Sequence, residues 1–243
     1  MVAALLMVVS SAFGKQGADV VKKVDAFSEI NIVGKINVIY EQGSGYEVRL
    51  DGDAANYIDV KVNDSSLNLC PKSKVSKVGG VYYNMVDMDE SVTVHVKAPS
   101  IKWFNVAGSG SVSVGKMGVK QVNFNVAGSG SIDIRQLSAY EVSFIVAGSG
   151  SLNARSVNAS KANLTVAGSG NLNADLEKAT ELVCNVAGSG EITVSGKAGE
   201  YTRLVFGSGS ITDKSLKYDK IVKSAMRRDN NNMRYDNGIL SNP

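Results

Sequence analysis

The chain carries few groups that could start a reaction. It has one histidine, His95, and two cysteines, Cys70 and Cys184, in 243 residues. A single histidine cannot build a zinc site of the usual composition, nor a Ser-His-Asp triad unaided. In SVTVHVKAP (91–99) the alternation sets His95 opposite Val92, Val94 and Val96, which predicts that it faces outward. Asp87, Asp89 and Glu90 offer oxygen ligands of the kind calcium takes, but neither a 12-residue loop nor a nonapeptide repeat surrounds them. The cysteines stand 114 positions apart, which is no disulfide framework, and Cys184 reads as a buried apolar thiol. Ser109, Ser129, Ser149, Ser169, Ser189 and Ser208 recur regularly with no base at a matching position. The sequence therefore assigns no catalytic residue, no metal ligand and no cofactor.

The serines recur because the chain repeats. VAGSG stands at 106–110, 126–130, 146–150, 166–170 and 186–190, and VFGSG follows at 205–209. A fixed period of 20 residues signals a solenoid. Two residues before each motif stand Phe104, Phe124, Phe144, Leu164 and Cys184, and the motif opens on Val106, Val126, Val146, Val166 and Val186. Beyond GSG come Val112, Ile132, Leu152, Leu172 and Ile192, then Val114, Ile134, Ala154, Ala174 and Val194. Apolar and polar positions alternate on both flanks, which is strand patterning with one buried face and excludes helical solenoids. Each unit reads as strand, GSG corner, strand and polar return segment, such as GKMGVKQ (115–121). Val119, Ala139, Ala159, Ala179 and Gly199 mark a narrow third side. Stacking such units at about 4.8 Å gives a parallel β-helix with six coils.

The glycines suit a corner held at one height in every coil, since Gly adopts positive φ without steric cost. A phosphate-cradling glycine nest is the other reading, but such loops occur once per site and precede a helix. Paired carboxylates for glycosidic cleavage would need acids on adjacent coils of one face. Asp133 has Ser113 and Asn153 as coil neighbours, and Glu191 has Asn171 and the Gly209–Ser210 step, so no dyad emerges. The outward column Ser113, Asp133, Asn153, Asn173 and Thr193 is too mixed for a surface that orders ice or mineral.

Flanking segments complete the layout. Residues 1–14 (MVAALLMVVSSAFG) read as an export signal, an apolar run before small residues and too short for a bilayer of roughly 30 Å. Residues 15–100 read as irregular coils and a cap, with strands in 30–40, 46–50, 58–62, 67–69 and 91–99 and an excursion over 71–90. Residues 101–213 are the regular repeats. In 214–243, KSLKYDKIVKSAMRR can form a short capping helix with Leu216, Ile221, Val222 and Met226 inward, and DNNNMRYDNGILSNP reads as a flexible tail. Seven basic residues against two acidic ones give 214–234 a charge of +5, leaving −2 elsewhere in a chain of net +3. That balance is no nucleic-acid footprint. With 44% hydrophobic and 20% charged residues the chain is not disordered, and no segment of the mature chain is long and apolar enough to cross a membrane.

FSEINIVGKINVIYEQG near the N-terminus, VTVHVKAPSIKWFNVAGSGSV and the serial VAGSGS units together resemble the autotransporter-adhesin head GIN-domain family, over roughly 26–213. The resemblance implies a right-handed β-helix shaped like pectin lyases without their catalytic residues. It also implies a Bacteroidetes-type, Gram-negative source, and export to the periplasm, the outer surface or the medium. The expected role is a non-enzymatic adhesin or structural module. Its expected partner is a cell-surface glycan or an envelope or host-matrix component, with homo-oligomerisation left open. The alternative is a pectin lyase-like carbohydrate-active enzyme with its site in the irregular N-terminal coils.

Overall fold

The structure, a computed structural model, describes residues 6–9, 19–51, 54–72, 74–78, 81–85, 91–229 and 232–241. The chain is all-β and forms about six stacked turns of a solenoid. Its only helical element among the described residues is one turn, α1 (Ala54–Tyr57). The N-terminal strands are β1 (Leu6–Val9), β2 (Asp19–Lys23), β3 (Glu29–Val33), β4 (Ile36–Gln42), β5 (Glu47–Leu50), β6 (Ile58–Asn63), β7 (Ser66–Pro71), β8 (Lys74–Val78), β9 (Val81–Met85) and β10 (Val92–Ala98). The repeats form β11 (Trp103–Gly108), β12 (Ser111–Gly128), β13 (Ser131–Gly148), β14 (Ser151–Gly168), β15 (Asn171–Gly188), β16 (Glu191–Gly207) and β17 (Ser210–Asp229), with β18 (Asn232–Ser241) last.

From β11 to β17 every strand pairs in parallel with the next, and like residues face like residues: Phe104↔Phe124↔Phe144↔Leu164↔Cys184. The alternation dictates the core. In β13 the buried residues are Ile132 and Ile134 on one side, Val142, Phe144 and Val146 on the second, and Leu137 on the narrow third. Ala139 is half-buried beside Leu137. Phe104 and Phe124 stack with ring centroids 4.8 Å apart, Phe124 and Phe144 follow at 5.6 Å, and Tyr40 closes the column edge-on to Phe104.

The return segments carry more core than their polar look suggests. Met117, Leu137, Val157 and Leu176 are fully buried, as are Val122, Val142, Ala162, Leu182 and Tyr201. The third-side column is correct as far as Ala179, but Ala198, not Gly199, continues it. The sixth unit is one residue short, and the register shift between Leu176 and Ala179 absorbs the deletion at that corner.

The N-terminal strands build a degraded coil. β3 runs parallel to β11 and β4 parallel to β12, joined at Gly34, whose φ is +86°. β10 pairs in parallel with β4, β5 and β2 follow antiparallel, and β7 and β6 extend the sheet beyond β3. The 71–90 excursion contains the β8–β9 hairpin, and Asp87, Asp89 and Glu90 lie outside the described residues. Within the expected export signal, Leu6–Val9 pairs antiparallel with β2, and residues 10–14 lie outside the description.

The expected capping helix is absent. Residues 210–229 continue as strand β17 on β16, and Leu216 and Ile221 are buried on that strand. The expected flexible tail contains β18, antiparallel to β17 from Lys220↔Ser241 to Asp229↔Asn232. The physical reason is the open edge of β16. It presents a full row of unpaired backbone groups, and pairing them outweighs any helical preference of the segment.

Candidate functional site

The GSG corners are structural. At Gly148 φ is +125°, a conformation that favours glycine. A Cβ on Gly150 would stand 2.5 Å from both the Gly130 carbonyl oxygen and Val126 Cγ1 of the coil below. Corner amides are already committed: Ser149 N–H donates to Gly128 O at 2.9 Å and Ser151 N–H to Gly130 O at 3.0 Å. Those amides are not free to cradle an anion.

His95 faces outward, with Val94 and Val96 buried beside it. Its Nε2 lies 2.8 Å from Asp51 Oδ2, and Arg49 bridges Asp51 and Asp19. The adjoining groove of about 350 Å³ mixes Glu41 and Glu47 with Arg49 and Lys97. Among the described residues no nucleophile is hydrogen-bonded to His95. Among the described residues no three His, Cys, Asp or Glu side chains converge on a metal position, and no helix is long and apolar enough to cross a membrane.

The acids noted from the sequence have other work. Asp133 receives Arg155 at 3.2 Å, and Glu191 accepts from Thr212 at 2.9 Å. The register does bring one pair of acids onto adjacent coils, Glu181 opposite Glu200, which the sequence reading missed. They sit in a column running Gln121, Glu141, Lys161, Glu181, Glu200, Lys220. Lys161 meets Glu181 and Lys220 meets Glu200, each at 3.4 Å, so the two acids are held by opposite neighbours.

Beside that charged column lies the broad outer face of the strands that end at GSG. Three outward columns cross it. One is Trp103, Asn123, Ser143, Asn163, Val183 and Thr202; the next is Asn105, Asn125, Ile145, Thr165, Asn185 and Leu204. The third is Ala at positions 107, 127, 147, 167 and 187, ending in Phe206. None of these positions carries a charge, and one coil lower the first column reaches Glu29, which accepts from Ser66 at 2.9 Å. The corner serines border the face on its other side. At its lower end an amide ladder forms: Asn105 donates to Asn31 at 2.9 Å and Asn31 to Asn68 at 3.1 Å. Trp103 is 40% exposed at the same end. Tabulating outward columns as well as inward ones would have found this face from the sequence.

At the upper end the core closes on polar groups. Arg203 takes the column position after Cys184, and Asp213 accepts from Arg203 at 3.3 Å and Tyr201 at 3.0 Å. Burial pushes the Cys184 thiol up to about 12; the Asp213 carboxylate adds to this, while Arg203 and a bond with Tyr201 oppose it. Cys70 and Cys184 are both free thiols.

The described residues form a three-sided parallel solenoid with an uncharged outer face, an architecture that offers an extended surface. The family described as "Putative auto-transporter adhesin, head GIN domain" matches residues 26–214, and the chain belongs to it. Solved structures share the fold. One titled a putative lipid binding protein from Parabacteroides distasonis ATCC 8503 is 24% identical, with TM-score 0.58 over 80% of this chain and 95% of that one. A putative adhesin from the same organism is 18% identical, with TM-score 0.58 over 83% and 97%. A putative adhesin from Bacteroides fragilis NCTC 9343 is 20% identical, with TM-score 0.56 over 82% and 98%. None of the curated proteins matches this chain.

Proposed function

We propose that the protein is an exported, non-enzymatic adhesin-type module that presents its flat outer face to a cell-surface glycan or another envelope or host-matrix component. One observation carries the reading: from β11 to β16 three outward columns are free of charge and regularly spaced, with the Lys161–Glu181 and Lys220–Glu200 pairs at their border. The family description and the apolar leader pattern of residues 1–14 support export to the periplasm, the outer surface or the medium. Retention of purified protein on envelope, mucin and matrix preparations is the test. Passage through all three without retention would sink the reading.

A carbohydrate-active reading is favoured only by the Glu181–Glu200 juxtaposition, with the N-terminal 71–90 excursion as the other place for a site. It requires turnover of a pectin or glycosaminoglycan that Glu200→Gln or Asp87→Ala abolishes.

A further inference from the structure

We infer that the corner of β12 beside Gly115 and Gly118 binds a short zwitterionic peptide. Its backbone amide lies against the bare strand, its carboxylate at Lys116 and its amino group at Glu41. The site is separate from the uncharged face and does not depend on the adhesin reading.

Two glycines that the fold does not require give the first argument. From Gly34 to Gly209, among the described residues, every other glycine either has a positive φ or stands where a Cβ would press on a neighbour. A Cβ on Gly115 or Gly118 would meet nothing within 4 Å, and neither residue has a positive φ. One coil higher Ser138 stands opposite Gly118, so this position of the coil accepts a side chain. Glycine inside a strand costs stability. Where neither conformation nor packing calls for it, it marks a place where a ligand or another backbone comes close. Both glycines line one cavity of about 460 Å³, a size within the range of small-ligand sites.

The open backbone is the second argument. β4 pairs with β12 as far as Val114 and β11 pairs from Asn123 onward, so among the described residues no strand lies below 115–122. At Gly118 the Gln42 side-chain amide stands in for a strand, bonding both the N–H and the C=O. In an extended strand the main-chain groups of residues two apart point to the same edge, so those of Lys116 face the same opening. A ligand amide continues there what Gln42 begins.

Charge is the third. Lys116 and Glu41 both line the cavity. Neither enters an ion pair among the described residues, although Lys97 stands opposite Glu41 in register. A ligand with one positive and one negative end complements both groups, whereas a neutral sugar complements neither and an acidic polymer only one. Gln136 and Ser138 on the coil above donate and accept as peptide groups do. The buried Tyr40 and Met117 close the floor.

The test is calorimetric titration of the full chain with trialanine, against its N-acetylated and C-amidated forms, free alanine and a β-linked glucose hexamer. Trialanine should bind, and blocking either end, or offering alanine alone, should weaken binding about tenfold or more. Gly115→Val puts a side chain where the fold leaves open space. It should abolish binding and leave the unfolding midpoint unchanged or higher. Lys116→Gln should weaken binding about tenfold, while Lys120→Gln, which removes the same charge outside the cavity, should leave it unchanged. A lowered midpoint in Gly115→Val would mean that the fold needs the glycine, and retained binding in that variant would place the ligand elsewhere; either overturns the inference. Equal binding of the blocked peptides or of alanine overturns it too, as does equal loss in the two lysine variants. Binding of the glucose hexamer that Gly115→Val removes would make a neutral sugar the occupant instead. No binding of trialanine overturns the peptide assignment, and the adhesin reading, which is read from retention on envelope, mucin and matrix preparations, stands or falls apart from it.

Discussion

Gly150 and Ser149 show at single-residue scale what the corner requires. Gly150→Ala forces a methyl group against the Gly130 carbonyl and Val126 of the coil below. Relief requires the coils to part locally, and overpacking of this kind costs about 1–3 kcal/mol. Ser149 is exposed, and its backbone amide, not its side chain, makes the coil-to-coil bond, so Ser149→Ala should stay within about 0.5 kcal/mol of the parent. Denaturant unfolding of the two variants separates a corner selected for space from one selected for its hydroxyl. Cys184 makes a second prediction, in the alkaline range. Its folded pKa of about 12 lies above the ordinary thiol value of 9.0, so the folded state holds a proton that the unfolded chain has lost. Stability is therefore complete below pH 9 and falls as the pH rises from 9 towards 12, by up to about 1.4 kcal/mol per pH unit. Burial raises Tyr40 and Tyr201 as well, which extends the fall above pH 10. Cys184→Val should move the onset of alkaline unfolding from about pH 9 to about pH 10, read from the unfolding midpoint against pH. In the native protein at pH 8 a thiol reagent should titrate at most Cys70.

Among the strands, the decisive feature is where the two-residue alternation holds and where it breaks. Along the strands flanking GSG it holds without interruption, and the Phe104, Val106, Val112 and Val114 columns were legible in the sequence for that reason. At the other two corners the inward position advances by three residues, from Ile134 to Leu137 and from Ala139 to Val142. That step hid the Met117 and Val122 columns inside segments that look polar. The same step misled at the C-terminus. Buried Leu216 and Ile221 follow the corners of one more coil, but in sequence they group with Val222 and Met226 as if on one face of a helix. The neutral face follows from the same 20-residue period, since Trp103, Asn123, Ser143, Asn163 and Val183 recur in step with Asn105, Asn125 and Asn185, and it was missed because only the inward columns point to a fold. Gln42 shows how the first coil manages an edge that no repeat could reveal. Among the described residues no strand lies below the third side of β12, since β4 pairs with Ser111–Val114 and β11 with Asn123–Gly128. The Gln42 amide fills the gap, donating to Gly118 O at 2.9 Å and accepting from Gly118 N–H at 2.8 Å, as a strand would. A further bond from Gln42 to Pro99 O ties in the β10 connection. Gln42→Ala should cost about 1–2 kcal/mol in solvent-exposed bonds. It should also speed amide exchange at Gly118 while leaving that of Ser138, one coil higher, unchanged.

For the whole molecule, stability resides in the interfaces between neighbouring coils, because each coil touches only those above and below it. Removing one complete coil should then be tolerated where half a coil is not. Deletion of residues 131–150 joins Gly130 to Ser151 and lays β14 directly on β12. The new neighbours match in kind: Leu152 on Val112, Val157 on Met117, Ala162 on Val122 and Leu164 on Phe124. Lys161 comes to rest on Gln121, so no like charges meet. The shortened chain should fold cooperatively, with a denaturant m-value lower by roughly a tenth and a lower midpoint from the loss of one interface and of Phe144 from the aromatic stack. Deletion of residues 131–140 instead joins the GSG corner to a strand meant for another side. Every inward column is then out of step, and a one-position slip alone turns a buried set outward. That variant should show no cooperative transition. Equal destabilisation by the two deletions would mean that stability is spread over the molecule as in a globular core rather than stored between neighbouring coils. Circular dichroism and urea titration of the two deletion variants decide it.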